Sequence, residues 1–560
     1  MGVQKLHYLG AALAAFAVYL APQDLDPRES YDVKAYHLDL RVDPAERSLA
    51  GSVTMDAIVL RGPLDEVVLD LTANHSVDGV THAGKELSFE HAGDQVTCTL
   101  AEPLEVGAVF SLAVAYTRSQ PAELRSGQRR RRGAVLWAET PSGAPWVGTS
   151  CQGPGAHAWW PCKSNFFNPE DKPERLKVDL TVPADLYAVS NGTLAGTTDA
   201  GDGWTKYSWE HNYPLETYTV TANIAPYVVV EKELELPGID HPVSFIYYVL
   251  PENEVKAAVQ FRDVPEMLRI YSEAFGPWPF PESKFALVET SFWGMEHSTA
   301  VAYGSTYPAW CAETGAKDRY AGRNRFFDYI LIHESAHEWW GNAVSAEHWG
   351  HFWIHEGFGT YAEGVYVEMT QGRERADEYF AGQVKGSLNP RGSIYRGDDP
   401  ESGAAYSGLI YSKGCSVLNT LRHYVDNDDL WWEALRTFNL RHRYGNATTE
   451  DFRAVVEELT GRSWERFFDE WIYGVGAPMV TGTVTVADGR VVVDVSCKGN
   501  GATSFQVPLD LAWREAGVER TRRIWLEPGA NVVQWEGQPE DLRVAHLARV
   551  LGKHDVRVTK

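Results

Sequence analysis

The sequence predicts a multidomain α+β protein: a β-rich N-terminal domain, a mixed α/β middle and a small C-terminal β domain. Three observations predict it. The chain has 560 residues, several times what one hydrophobic core usually supports. Apolar and polar residues alternate with period two over residues 31–230 and again from 478, whereas helical periodicity dominates the stretch between. The composition, 44% hydrophobic and 23% charged, is that of globular proteins and excludes a disordered or fibrous chain.

Residues 1–22 open with a weakly basic start and an apolar, Ala-rich run over 8–20. That run is too short to span a bilayer comfortably. It fits a secretory signal, with Ala15-Phe16-Ala17 as a small-residue cleavage site, so export to the periplasm or outside the cell is expected, with the cytoplasm as the alternative. Residues 23–236 form the first domain, in short alternating runs such as 33–40 set off by Gly, Pro and Asn-Gly turns. Four consecutive arginines at 129–132 read as a solvated loop. Residues 237–476 form the middle domain, with a strand over 243–250 and a helix over 252–275 that Pro277, Pro279 and Pro281 end. Residues 477–560 form the last, with strands at 480–486, 491–495, 505–512 and 532–535 that suggest a small β-sandwich.

Charge narrows the partners. Lys plus Arg total 51 against 76 Asp plus Glu, a net charge of -25, which repels phosphate backbones and argues against nucleic acid. The six cysteines, Cys98, Cys151, Cys162, Cys311, Cys415 and Cys497, contain no C-x-x-C pair and so no thiol zinc spacing. They read mostly as buried thiols, although Cys151 and Cys162 are near enough in sequence to bridge.

The chemistry concentrates in His333-Glu334-Ser335-Ala336-His337, which lies among Ile330, Leu331, Trp339 and Trp340 with no helix breaker before Gly341. On a helix, positions i and i+4 share a face, so both imidazoles reach one ion. Eighteen residues separate His337 from Glu356, which precedes a second helical run over 360–369 and supplies the third ligand of a zinc site whose fourth position is left for water. Glu334, one residue from a ligand, is placed to act as general base on that water. His348, His351 and His355 read as structural or solvent-exposed, because their spacing does not put them on one face with the three ligands.

With Trp293-Gly294-Met295-Glu296-His297 ahead of this motif, the chain resembles the gluzincin aminopeptidases of peptidase family M1. The resemblance runs from about residue 31 to 473. It implies a β-sandwich-like N-terminal domain, a thermolysin-like α/β catalytic domain and one Zn2+ per chain. It further implies removal of the N-terminal residue from peptides with a free amino end. Trp293, Gly294, Met295, Glu296 and His297 stand where the family has Gly-x-Met-Glu-Asn. Glu296 is then the counter-charge of the substrate ammonium, assisted by Gln152 of Ser150-Cys151-Gln152-Gly153. His297 replaces the family's Asn, and as a cation near pH 6 it would pull on Glu296 and compete with the ammonium. In the segment 405–414, Tyr411 aligns with the family's catalytic tyrosine, a hydrogen-bond donor to the oxyanion; Tyr406 is its neighbour, with core packing at least as apt a role. Two alternatives follow: a peptide-binding protein that has lost catalysis, and a lipid epoxide hydrolase, against which Gly403 stands where an Asp is expected.

Overall fold

The computed structural model describes residues 26–119, 134–164, 171–389, 391–397 and 402–559. The apolar run at the N-terminus and the four arginines at 129–132 lie outside them. In the first domain, Tyr31–Asp43 pairs antiparallel with Ser48–Val59 (Tyr36 opposite Met55, Leu38 opposite Val53) and parallel with Arg175–Pro183. These strands sit at the centre of an eight-stranded sheet. The alternation seen in sequence is the burial pattern: Tyr36, Leu38, Leu40 and Val42 are buried and their neighbours face outward. A register shift between Val33 and Ala35 breaks the period once. A three-stranded sheet (Leu64–Asp70, Ser88–Ala92, Gln95–Leu104) and a four-stranded one (Val135–Glu139, Pro145–Thr149, Tyr187–Val189, Asn223–Ala225) complete the β-rich domain.

The middle region is built on a five-stranded sheet in the order Val228–Leu234, Val243–Val249, Lys284–Glu289, Val301–Tyr303, Gly294–Met295. Its side chains alternate between two cores. Tyr248, Ala286, Val288, Met295 and Ala302 pack into the N-terminal domain, whereas Tyr247, Val249, Leu287, Val301 and Tyr303 pack under the helices. The sheet is therefore a wall shared by both domains, and its edge strand, Gly294–Met295, lies at the seam between them.

Two helices cross beside that edge. Tyr329–Ala336 starts at Asp328, whose side chain accepts from the Leu331 amide, a standard N-cap. Trp353–Gln371 begins seven residues earlier than the helical run read from sequence. Gly357 and Gly359 look like breakers, yet both lie in its first turns because neighbours pass very close: the Ile410 carbonyl and Gly414 at Gly357, and the other helix at Gly359. A Cβ on Gly359 would stand 3.1 Å from the His337 ring, so the approach requires glycine.

The C-terminal domain has a four-stranded sheet (Gly529–Glu536, Arg490–Gly499, Pro478–Ala487, Lys553–Thr559) and a three-stranded one (Val518–Leu526, Val507–Glu515, Glu540–Ala545). Val518–Leu526, Glu540–Ala545 and Lys553–Thr559 add to the strands read from sequence. They occupy sheet edges and are mostly exposed and charged, so they carry little apolar alternation. Val480, Val493 and Leu511 share one continuous core with Trp471 and the helices. Among the described residues no helix is long and apolar enough to cross a membrane.

Candidate active site

His333 and His337 project from the helix Tyr329–Ala336 and its cap, and Glu356 from the first turn of Trp353–Gln371. Three atoms converge. His333 Nε2 and His337 Nε2 are 3.3 Å apart, and Glu356 Oε2 lies 3.4 and 3.5 Å from them. A tetrahedral ion with bonds of about 2.1 Å sets its ligands roughly 3.4 Å apart, so this triangle is one face of such a tetrahedron. Glu356 Oε2 is buried and has no hydrogen-bond donor among the described residues, an acceptor in need of a cation. The outer nitrogens fix the tautomers. His333 Nδ1 donates to Glu363 Oε1 at 2.8 Å and His337 Nδ1 to the Trp340 carbonyl at 2.9 Å, which leaves both Nε2 lone pairs turned inward. Burial pushes the Glu356 carboxyl up, but the two histidines more than offset this and hold it well below the usual range.

Glu347, His348 and His351 also lie close enough to share an ion, but their hydrogen bonds argue the other way. The Gly350 amide donates to His348 Nδ1 and the Thr449 amide to His351 Nδ1. Each ring then carries its proton on Nε2 and has no lone pair to offer a metal. His355 is buried, accepts from the Ala346 amide through Nε2 and stacks on Tyr218. All three are structural.

A cavity of about 680 Å³ opens over the triangle. Glu334 lines it, 8% exposed, with its carboxylate against the bare backbone of the edge strand: a Cβ on Gly294 would meet Glu334 Oε1 at 2.5 Å. Burial pushes the Glu334 carboxyl up to about 7, with Glu296 and Glu356 adding to the shift and His333 and His337 opposing it. Tyr411 also lines the cavity and stacks on the His333 ring at 6.0 Å. Tyr406 is more than a packing residue, since its hydroxyl donates to Glu356 Oε1 at 3.0 Å and to Gln152 Oε1.

At one end of the cavity the Gln152 amide donates to Glu296 Oε1, and the Tyr218 hydroxyl donates to the same oxygen at 3.0 Å. Glu296 is 3% exposed, and burial raises its pKa. Gly294 and Met295 line the cavity beside it. His297 does not join them. It is fully buried, neither ring nitrogen has a partner among the described residues, and burial lowers its pKa to about 3. The expected competition by a His297 cation near pH 6 is therefore corrected: the apolar setting keeps the ring neutral. All six cysteines are free and buried, Cys151 and Cys162 included.

Sequence reasoning missed Tyr218, Glu363, Tyr329 and Arg323. Glu363 follows Glu356 by seven residues, two helical turns on one face, and that spacing is a usable signal. Tyr218 has none, because it arrives from the N-terminal domain.

Two family models match the chain, the peptidase M1 N-terminal domain over residues 30–219 and the peptidase family M1 domain over 259–471. The chain belongs to peptidase family M1. It is 24% identical to human glutamyl aminopeptidase over 66% of its length and 38% of that protein's. It is 25% identical to rice aminopeptidase M1-B over 80% of this chain and 50% of that one. Leukotriene A-4 hydrolase of Xenopus laevis is 23% identical over 82% of this chain and 74% of that protein. The M1 chain thus spans half or less of the length of the first two. An M1 zinc metallopeptidase from Deinococcus radiodurans has the same fold, with a TM-score of 0.64 and 24% identity over 80% of this chain and 94% of that one.

Proposed function

We propose that this M1 protein is a zinc aminopeptidase that hydrolyses the first peptide bond of peptides with a free amino end. The observation that carries the reading is the pairing, in one cavity, of an open metal triangle with a buried carboxylate, Glu296. The triangle alone would serve an endopeptidase. A buried Glu296 held by Gln152 and Tyr218 supplies what a desolvated α-ammonium needs, a counter-charge of fixed position. His333, His337 and Glu356 would hold one zinc ion. When bound, zinc supplies Lewis acidity to the scissile carbonyl and the attacking water. Glu334 takes the water's proton and delivers it to the departing amine. Tyr411 donates its hydroxyl to the developing oxyanion. The Tyr406 hydroxyl holds Glu356 and Gln152 together, which links the metal side to the amine side.

The test compares a free peptide with its N-acetylated form. Acetylation removes the cation and should nearly abolish cleavage, and Glu296→Ala should cost about 2 to 5 kcal/mol on the free peptide and far less on the blocked one. Comparable rates on both peptides would make the protein an endopeptidase and remove the role assigned to Glu296.

A further inference from the structure

The cavity is lined by four acids, Glu296, Glu334, Glu356 and Glu363, and by a single Lys or Arg among the described residues, Arg323. Its neighbours Arg325 and Arg375 pair with Glu378. No described carboxylate pairs with Arg323. Instead its guanidinium lies 5.3 Å from the ring centroids of both Trp293 and Tyr329. These rings brace one another at 5.5 Å, and Trp293 stacks on Tyr320 at 5.2 Å. Cation–π attraction to both rings holds the guanidinium near them. The Arg323 side chain makes no hydrogen bond or ion pair among the described residues, which leaves free the N–H fork, the donor set that matches a carboxylate.

The position of that fork is set from two directions. Tyr329 stacks on His333 at 5.2 Å, so Arg323 stands two ring steps from a metal ligand. Trp293 precedes Glu296 by three residues at the start of the edge strand, which pairs on one side only, with Val301–Tyr303. A peptide with its amine at Glu296 that runs antiparallel along the free side advances about 3.3 Å per residue. With its first residue opposite Glu296, its third lies opposite Gly294, one position from Trp293 and the fork.

We propose that Arg323 reads a carboxylate at that point, making short or acidic peptides the favoured substrates. Two sources share this chemistry: the terminal carboxylate of a tripeptide, and an acidic side chain at the second or third residue. The inference rests on the amine seat assigned above.

Calorimetry on zinc-loaded Glu334→Gln protein, which keeps all three ligands and does not turn over, tests it with Ala-Ala-Ala, its C-terminal amide, Ala-Asp-Ala amide and N-acetyl-Ala-Ala-Ala. The free acid should bind about tenfold tighter than the amide, and Arg323→Met in the same background should bring that ratio to about one. Arg323 is exposed, so the variant folds. Recovery of binding by Ala-Asp-Ala amide supports the proposal with the side chain as source, and no recovery supports it with the terminus as source. A tenfold ratio that survives Arg323→Met overturns it, as does equal binding of acid and both amides by the Arg323 protein. The acetylated peptide reports separately on Glu296: unweakened binding there fails the amine seat and leaves the Arg323 ratio to be read independently.

Discussion

The two tyrosines of the 405–414 segment divide the labour at the scale of single residues. Tyr411 stacks on His333 with its ring in the cavity, whereas the Tyr406 hydroxyl is committed to Glu356 and Gln152. A hydroxyl that acts mainly on the transition state affects kcat, and one that holds the amine seat affects substrate binding. Tyr411→Phe is expected to lower kcat by roughly 10² to 10³ with little change in KM, and Tyr406→Phe to raise KM more than it lowers kcat. Steady-state kinetics on an aminoacyl-anilide checks both, and the reverse pattern would exchange the roles. The residues that sequence made legible are those whose geometry is local. His333, Glu334 and His337 share one helical turn, and Glu356 lies at the start of the next long helix, so spacing alone locates them. Tyr218 and Arg323 contribute through space, from another domain and from a loop, and no spacing rule reaches them.

The crossing of Tyr329–Ala336 and Trp353–Gln371 shows why a helix boundary was misplaced from sequence. Glycine weakens a helix by about 1 kcal/mol, which argues for a later start, but tertiary contact overrides that preference here. Gly359 lets the Glu356 helix lie against the His337 ring, which the Trp340 carbonyl holds from the other side. Gly359→Ala places a methyl 3.1 Å from that ring and leaves every ligand in place. The ring cannot yield without loosening its Nδ1 bond, so zinc affinity is expected to fall about 10- to 100-fold, measured by competition with a chromogenic chelator. Unchanged affinity would show that the helix axis shifts instead.

Across the whole molecule, the seam between the first two domains holds histidines that cannot take up a proton. His211 and His297 are fully buried without ring-nitrogen partners among the described residues. Burial lowers both to about 3, and Lys284 adds to the effect at His211. Their folded pKa values lie below the unfolded value near 6.5, so below that pH the unfolded chain binds more protons. Stability is then complete above about 6.5 and falls as pH drops toward 3, by about 1.4 kcal/mol per pH unit for each ring. Urea midpoints between pH 7 and 4 are expected to show this slope, and His297→Asn to reduce it by one proton; an identical slope in the variant would assign acid lability elsewhere. The seam also carries the wall of the amine seat, with Gln152 and Tyr218 from one domain and Glu296 from the other. On the proposed reading that wall seats the amine, which sets an order of departure. In the proposed hydrolysis the detached amino acid stays paired with Glu296, 3% exposed, and leaves after the shortened peptide. The free amino acid should therefore inhibit competitively against substrate, while the shortened peptide, which carries a free amine of its own, should compete only as the next substrate.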